Sequence, residues 1–138
     1  MWIFLNDAMV SVVRHRKRPG YLLVRARVAG DLKRAFPSID GRRTRRTPGA
    51  DYLYRMVIAD LELYDGLVDM ARSIDYPNFK DSIAPADRER RLAYHAVWDD
   101  MLSMQLRAEP GSSRYGRRLS PMPAPLPAAA WGDDEEPF

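Results

Sequence analysis

Tyr21-Leu22-Leu23-Val24-Arg25-Ala26-Arg27-Val28 is the stretch that decides the fold. Successive side chains of an extended chain point to opposite faces, so Leu22, Val24, Ala26 and Val28 share one side and Tyr21, Leu23, Arg25 and Arg27 the other. The segment predicts a strand with an apolar side to bury and a second side carrying a ring and two guanidiniums. Such a strand needs neighbours, and the flanking sequence supplies them. Upstream, Trp2 to Val13 reads as two short strands about an Asn6-Asp7 turn, because Val10, Val12 and Val13 favour extended backbone. The link to Tyr21, Arg14-His15-Arg16-Lys17-Arg18-Pro19-Gly20, is charge followed by Pro-Gly and predicts an exposed basic loop. Downstream, Asp51 to Ala59 is a further strand, with Tyr52, Tyr54, Met56 and Ile58 on one side and Leu53, Arg55 and Val57 on the other.

Helical signals fill the remainder of the first hundred residues. Asp31 is a candidate cap for a short helix through Phe36, with Leu32, Ala35 and Phe36 inward and Pro37 as terminator. Ser38 to Ala50 reads as a loop that contains Arg42-Arg43-Thr44-Arg45-Arg46. Asp60 is a candidate cap for the next helix, in which Leu61, Tyr64, Leu67, Val68, Ala71 and Ile74 recur at spacings of three and four and are expected to pack on the sheet. Tyr76-Pro77-Asn78-Phe79-Lys80 reads as a turn. Pro85 fits the first turn of a last helix, running to about Gln105 with Tyr94, Val97, Trp98 and Met101 on one face. The expected fold is α+β: a small single domain in which an antiparallel sheet of about four strands is packed by two or three helices, in the order β-β-β-α-β-α-α.

From residue 107 the composition shifts to Pro, Gly, Ser and Ala, and closely spaced prolines deny a regular helix. The expected organisation is a body over 1–106, a disordered linker over 107–131 and an acidic peptide over 132–138. With no cysteine among 138 residues, disulfides, thiol catalysis and cysteine-bound zinc are excluded. His15 and His95 stand far apart among unlike neighbours, so no metal or histidine-based catalytic site is expected, and the sequence contains neither a phosphate-cradling glycine loop nor a nucleophile motif. The acidic residues Asp60, Glu62, Asp65, Asp69, Asp99 and Asp100 fit solvated helix faces better than a cation site. No cofactor is expected, and the chain is read as a non-enzyme. Met1-Trp2-Ile3-Phe4-Leu5 is followed at once by Asn6-Asp7, and no segment has the roughly 18 apolar residues of a membrane span, so a soluble, cytoplasmic protein is expected.

The formal net charge of +3 conceals an asymmetry: residues 1–55 carry 13 Lys and Arg against 4 Asp and Glu, whereas residues 56–106 carry 5 against 10. A polyanion would therefore bind the first half. The candidate contacts are Arg14, Arg16, Lys17 and Arg18 of one loop, Arg42, Arg43, Arg45 and Arg46 of the other, and Tyr21, Arg25, Arg27 and Arg55 on strands. Rings stack bases and arginines neutralise phosphates, the combination that single-stranded nucleic acid binders use. The competing readings are that helices cover this strand face, or that the arginines pair with the acidic 56–106 segment.

The chain ends Gly132-Asp133-Asp134-Glu135-Glu136-Pro137-Phe138. Asp133, Asp134, Pro137 and Phe138 match each fixed position of the pattern Asp-Asp-x-x-Pro-Phe, and the seven residues resemble the acidic tip of bacterial single-stranded DNA-binding proteins. That resemblance implies docking onto basic grooves of replication, recombination and repair proteins through Asp133, Asp134, Glu135, Glu136, Pro137 and Phe138. The residue types suit the task on physical grounds too. The carboxylates steer a tail toward a basic surface over about 8 Å, the Debye length at physiological salt. Phe138 adds a ring to bury and an α-carboxylate for pairing with an arginine. An acidic solubilising tail is the alternative.

The body is similar to small uncharacterised bacterial and phage-type proteins in its Trp2-Ile3-Phe4, Val24-Arg25-Ala26-Arg27 and Tyr76-Pro77-Asn78-Phe79-Lys80 segments, a likeness that implies no activity. It does not look like the five-stranded oligonucleotide-binding barrel, since two sizeable helices follow about four strands. The resulting expectation is a protein that holds single-stranded DNA, or RNA, on its body, with homo-oligomers allowed, and recruits partners through its tip. The alternative is an adaptor or inhibitor that competes for tip-binding grooves without binding DNA.

Overall fold

A computed structural model describes residues 1–109; the expected acidic tip and all but the start of the expected linker lie outside them. The fold is α+β, with an antiparallel sheet of five strands in the order β1-β2-β3-β5-β4. The strands are β1 (Trp2–Phe4), β2 (Met9–Arg14), β3 (Tyr21–Ala26), β4 (Arg45–Arg46) and β5 (Tyr54–Ala59), and the helices are α1 (Asp31–Ala35), α2 (Asp60–Arg72), α3 (Phe79–Ser82) and α4 (Arg88–Ala108). Residues 1–91 form one compact unit, and the described residues from Leu92 onward belong to a second. The first holds the sheet, α1 to α3 and the opening of α4; the described part of the second is the remainder of α4 and Glu109.

Tyr21–Ala26 is the central strand, paired with β2 on one edge and β5 on the other. Its period of two works as expected: Leu22, Val24 and Ala26 are buried beside Val10, Val12, Met56 and Ile58, and Leu32, Ala35 and Phe36 complete the core. The strand is two residues shorter than its pattern, and Val28 is exposed. Gly20 has φ +77°, the left-handed conformation that the Pro19-Gly20 turn requires, and its carbonyl accepts the Asp60 amide. Arg45–Arg46 is a two-residue edge strand, preceded by a 3-10 turn at Gly41–Arg43 in what the sequence reads as loop.

Four local expectations need correction. Asp31 does not cap α1: Gly30 occupies that place, and the Asp31 carboxylate is buried, accepting the Met9 amide at 3.0 Å and an Arg90 Nη2 bond at 2.9 Å, with Arg34 as a further partner. Asp60 does not cap α2 either; Ala59 holds the cap position, its amide is taken by Glu62 Oε2 at 2.6 Å, and Asp60 pairs with Arg14. Pro85 lies in a turn before α4, whose start is bound instead by Asp87 accepting the Arg90 amide at 3.2 Å. Within the expected Tyr76–Lys80 turn, Asn78 accepts the Lys80 amide at 3.0 Å and opens α3.

The largest correction concerns the rotation of α2. Leu61, Tyr64, Leu67, Ala71 and Ile74 are exposed and Val68 is half-buried, while Met70 is buried, with Leu63 packed on the core. Gly66 sets this rotation. A Cβ there would lie 2.7 Å from two ring atoms of Phe36, so the ring occupies the space a side chain would need and the glycine side of the helix must face it. The same side of α2 also carries Leu63 and Met70 to the core, and the expected stripe is left facing water.

Candidate nucleic-acid interface

Pairing register aligns one transverse row across the sheet: Trp2 is opposite Ser11, Ser11 opposite Arg25, Arg25 opposite Arg55, and Arg55 opposite Arg45. Directly paired residues project to the same side. The row therefore lies on the side away from Val10, Val24 and Met56, and Tyr21, two residues along β3 from Leu23, shares it. Trp2 is 61% exposed and Tyr21 40%. Trp2 also meets Phe4 edge-on, with ring centroids 6.4 Å apart.

The middle of the row is organised by Tyr52, a residue absent from the expected site. Its ring is 4.6 Å from the Arg25 guanidinium and 4.4 Å from that of Arg27, and its carbonyl accepts Arg55 Nε at 3.2 Å. Arg25 Nη2 donates to Ser11 Oγ at 3.0 Å, and its buried Nε has no hydrogen-bond partner. Arginines directly opposite one another repel, an unfavourable arrangement in a sheet, and the Tyr52 ring offsets part of it by offering its negative π face. Tyr52 and Arg55 are buried and Arg25 is half-buried, so the exposed members of this side are Trp2, Tyr21, Arg27 and Arg45.

The two basic loops divide. Arg14 pairs with Asp60 at 2.7 Å, Arg42 with Asp40 at 3.0 Å and Arg27 with Asp51 at 2.6 Å. Arg43 binds both Glu62 and the Val57 carbonyl. The guanidinium of Arg43 holds the Glu62 carboxyl below the usual carboxylate range, with the Ala59 amide assisting, and Glu62 in turn raises Arg43. These arginines spend their charge within the chain. Arg16, Arg18, Arg45 and Arg46 are exposed, and none meets a carboxylate among the described residues; Lys17 is exposed as well but does have a partner.

The register thus brings together Tyr21, Arg25, Arg55 and Arg45, with Arg27 joined through Tyr52, and it separates Arg46, which is opposite Tyr54 and so on the other side. Trp2, Ser11 and Tyr52 were missed. The alternation Trp2-Ile3-Phe4 assigns Trp2 and Phe4 to one side but leaves that side undefined until β1 is registered against β2. Away from this face, Asp31 and Arg90 form a buried pair, 1% and 7% exposed at their side chains, to which Asp87 adds a bond at 2.8 Å. Arg90 holds Asp87 below the usual carboxylate range. The cluster ties α1 to β2 and to the start of α4. Among the described residues no group of three acidic, His or Cys side chains is placed to hold a metal, and no helix is long and apolar enough to cross a membrane. No protein family, curated protein or solved structure matches the chain.

Proposed function

We propose that this chain binds single-stranded nucleic acid on the sheet face of the Trp2–Arg45 row, and recruits replication, recombination or repair proteins through Asp133–Phe138, without chemistry of its own. The observation that carries the reading is the row itself, which has the exposed indole of Trp2 at one end and the exposed guanidinium of Arg45 at the other, with half-buried Arg25 and buried Arg55 between them, on one side of a sheet whose other side holds the main apolar core. Bases stack on the exposed rings of Trp2 and Tyr21, while Arg45 and the loop residues Arg16 and Arg18 neutralise phosphates. Unpaired bases offer π faces that a duplex keeps stacked, so the surface favours single strands.

The test is fluorescence anisotropy of labelled single-stranded and duplex oligonucleotides with the full chain. Single strands are expected to bind more tightly than duplex, and Arg16→Ser, Arg18→Ser and Arg45→Ser together should weaken binding and flatten its salt dependence, because fewer counterions are released. Absence of binding to either form at low salt would overturn the reading. Its other half is tested by removing Phe138, which should abolish capture of a tip-binding helicase or nuclease while leaving oligonucleotide affinity intact.

A second reading has an observation in its favour. Arg14, Arg27, Arg42 and Arg43 are all paired with carboxylates of the same chain, which lowers the charge left for DNA. An adaptor that competes for tip-binding grooves needs only Asp133–Phe138. It would bind those partners and no oligonucleotide.

A further inference from the structure

Helix α2 presents its most apolar side outward. Leu61, Tyr64 and Leu67 are exposed, the first two by 68% and 65%, Val68 is half-buried and Ala71 exposed, and spacings of three and four put all of them on one stripe, opposite the side that Leu63, Gly66 and Met70 turn to the core. Beside the stripe runs a ridge of Asp65 and Asp69, one turn apart, neither paired with a cation among the described residues. Asp65 and Asp69 also line a cleft, together with Phe36, Ile39, Glu62 and Gly66.

We propose that this face of α2 is a docking site for a basic amphipathic helix of a partner protein. Charge selects the occupant. An anionic membrane surface attracts helices whose polar residues are Lys and Arg, whereas the ridge here is acidic and would be repelled. A second copy packed α2 against α2 would set Asp65 and Asp69 near their own symmetry mates, a like-charge contact in a partly desolvated place. A helix with large apolar residues every three or four positions, flanked by Lys or Arg, meets both features: its apolar side covers Leu61, Tyr64, Leu67 and Val68, and its cations reach Asp65 and Asp69. The site is independent of the nucleic-acid face, which uses the opposite charge.

The probe is a labelled synthetic Leu/Lys helix, compared by anisotropy with a scrambled peptide of the same composition and with a Leu/Glu helix, all against the full chain. The Leu/Lys helix is expected to bind and the other two to bind at least about tenfold more weakly. Leu61→Ser with Tyr64→Ser should lower its affinity by about tenfold or more. Both side chains are exposed, so circular dichroism and melting should be unchanged. Asp65→Asn with Asp69→Asn should lower affinity severalfold and reduce its salt dependence. The proposal is overturned if the scrambled peptide binds equally, or if the Leu61/Tyr64 variant binds like the native chain. It is also overturned if the native chain self-associates, or sediments with anionic vesicles, through the same side chains, since either result names a different occupant.

Discussion

The two sides of the sheet are built from the same five strands and the same alternation, yet they hold different kinds of residue. On the helix-covered side, Val10, Val24, Met56 and Ile58 are almost sealed from water; on the other, the register sets exposed Trp2 and Arg45 at the ends of a row whose middle, Ser11, Arg25 and Arg55, is buried or half-buried. One side is optimised for burial. The other sets like charges opposite one another and leaves an indole in water, two arrangements that do not add to stability. The comparison predicts that the two sides respond to substitution in different observables.

The largest effect is expected at Asp31, where Asp31→Ala leaves Arg90 buried without its main carboxylate and should cost about 3–5 kcal/mol, read as a lowered urea midpoint. A near-native midpoint would remove that cluster from the account of stability. The adjacent residues Ile58 and Val57 test the comparison directly, since they face opposite ways. Ile58→Ala should cost about 2–5 kcal/mol, and Val57→Ala under half of that. Equal costs would mean that both sides are packed alike. Gly66→Ala forces the Phe36 ring to move and should cost about 1–3 kcal/mol in the same measurement.

On the second side, Trp2→Ala should change stability by less than about 0.5 kcal/mol, as exposed substitutions do. It should nevertheless weaken single-stranded oligonucleotide binding by about fivefold or more, the loss of one stacked base. Comparable losses of stability and binding would make Trp2 a packing residue. The smallest effect is expected at the Arg43–Glu62 pair, part-exposed and worth under about 1 kcal/mol. Because Glu62 has a lowered folded-state pKa, its contribution is present above the unfolded carboxyl value of about 4.3 and is lost as pH falls through the folded value. Melting curves of the native chain and Glu62→Gln should therefore differ at neutral pH and converge in acid.

The alternation of Tyr21–Ala26 made the central strand and its buried side legible, as did Pro19-Gly20 for the hairpin turn, because both are local rules acting within a few residues. The rotation of α2 was not legible. It depends on Phe36 meeting Gly66, thirty residues apart, and no periodicity within α2 encodes that ring. Asp31 carries every local mark of a helix cap and is drawn inside instead by Arg90, which lies 59 positions away. The basic loops were visible as charge, but which arginines remain available depends on distant carboxylates such as Asp60 and Glu62. The row from Trp2 to Arg45 consists of residues scattered over the first 55 positions and becomes a surface only through register.

Arg43 lends itself to one more consequence. Its guanidinium occupies the carbonyl of Val57 on β5, just past the two residues that β4 covers, and the Arg45–Arg46 edge itself is short and charged. An open strand edge is a template on which further chains can add and grow into fibrils. Here the template is interrupted at the carbonyl where an incoming strand would need to pair, so replacing Arg43 with an apolar residue would expose the protein to aggregation under conditions where its native state is still populated.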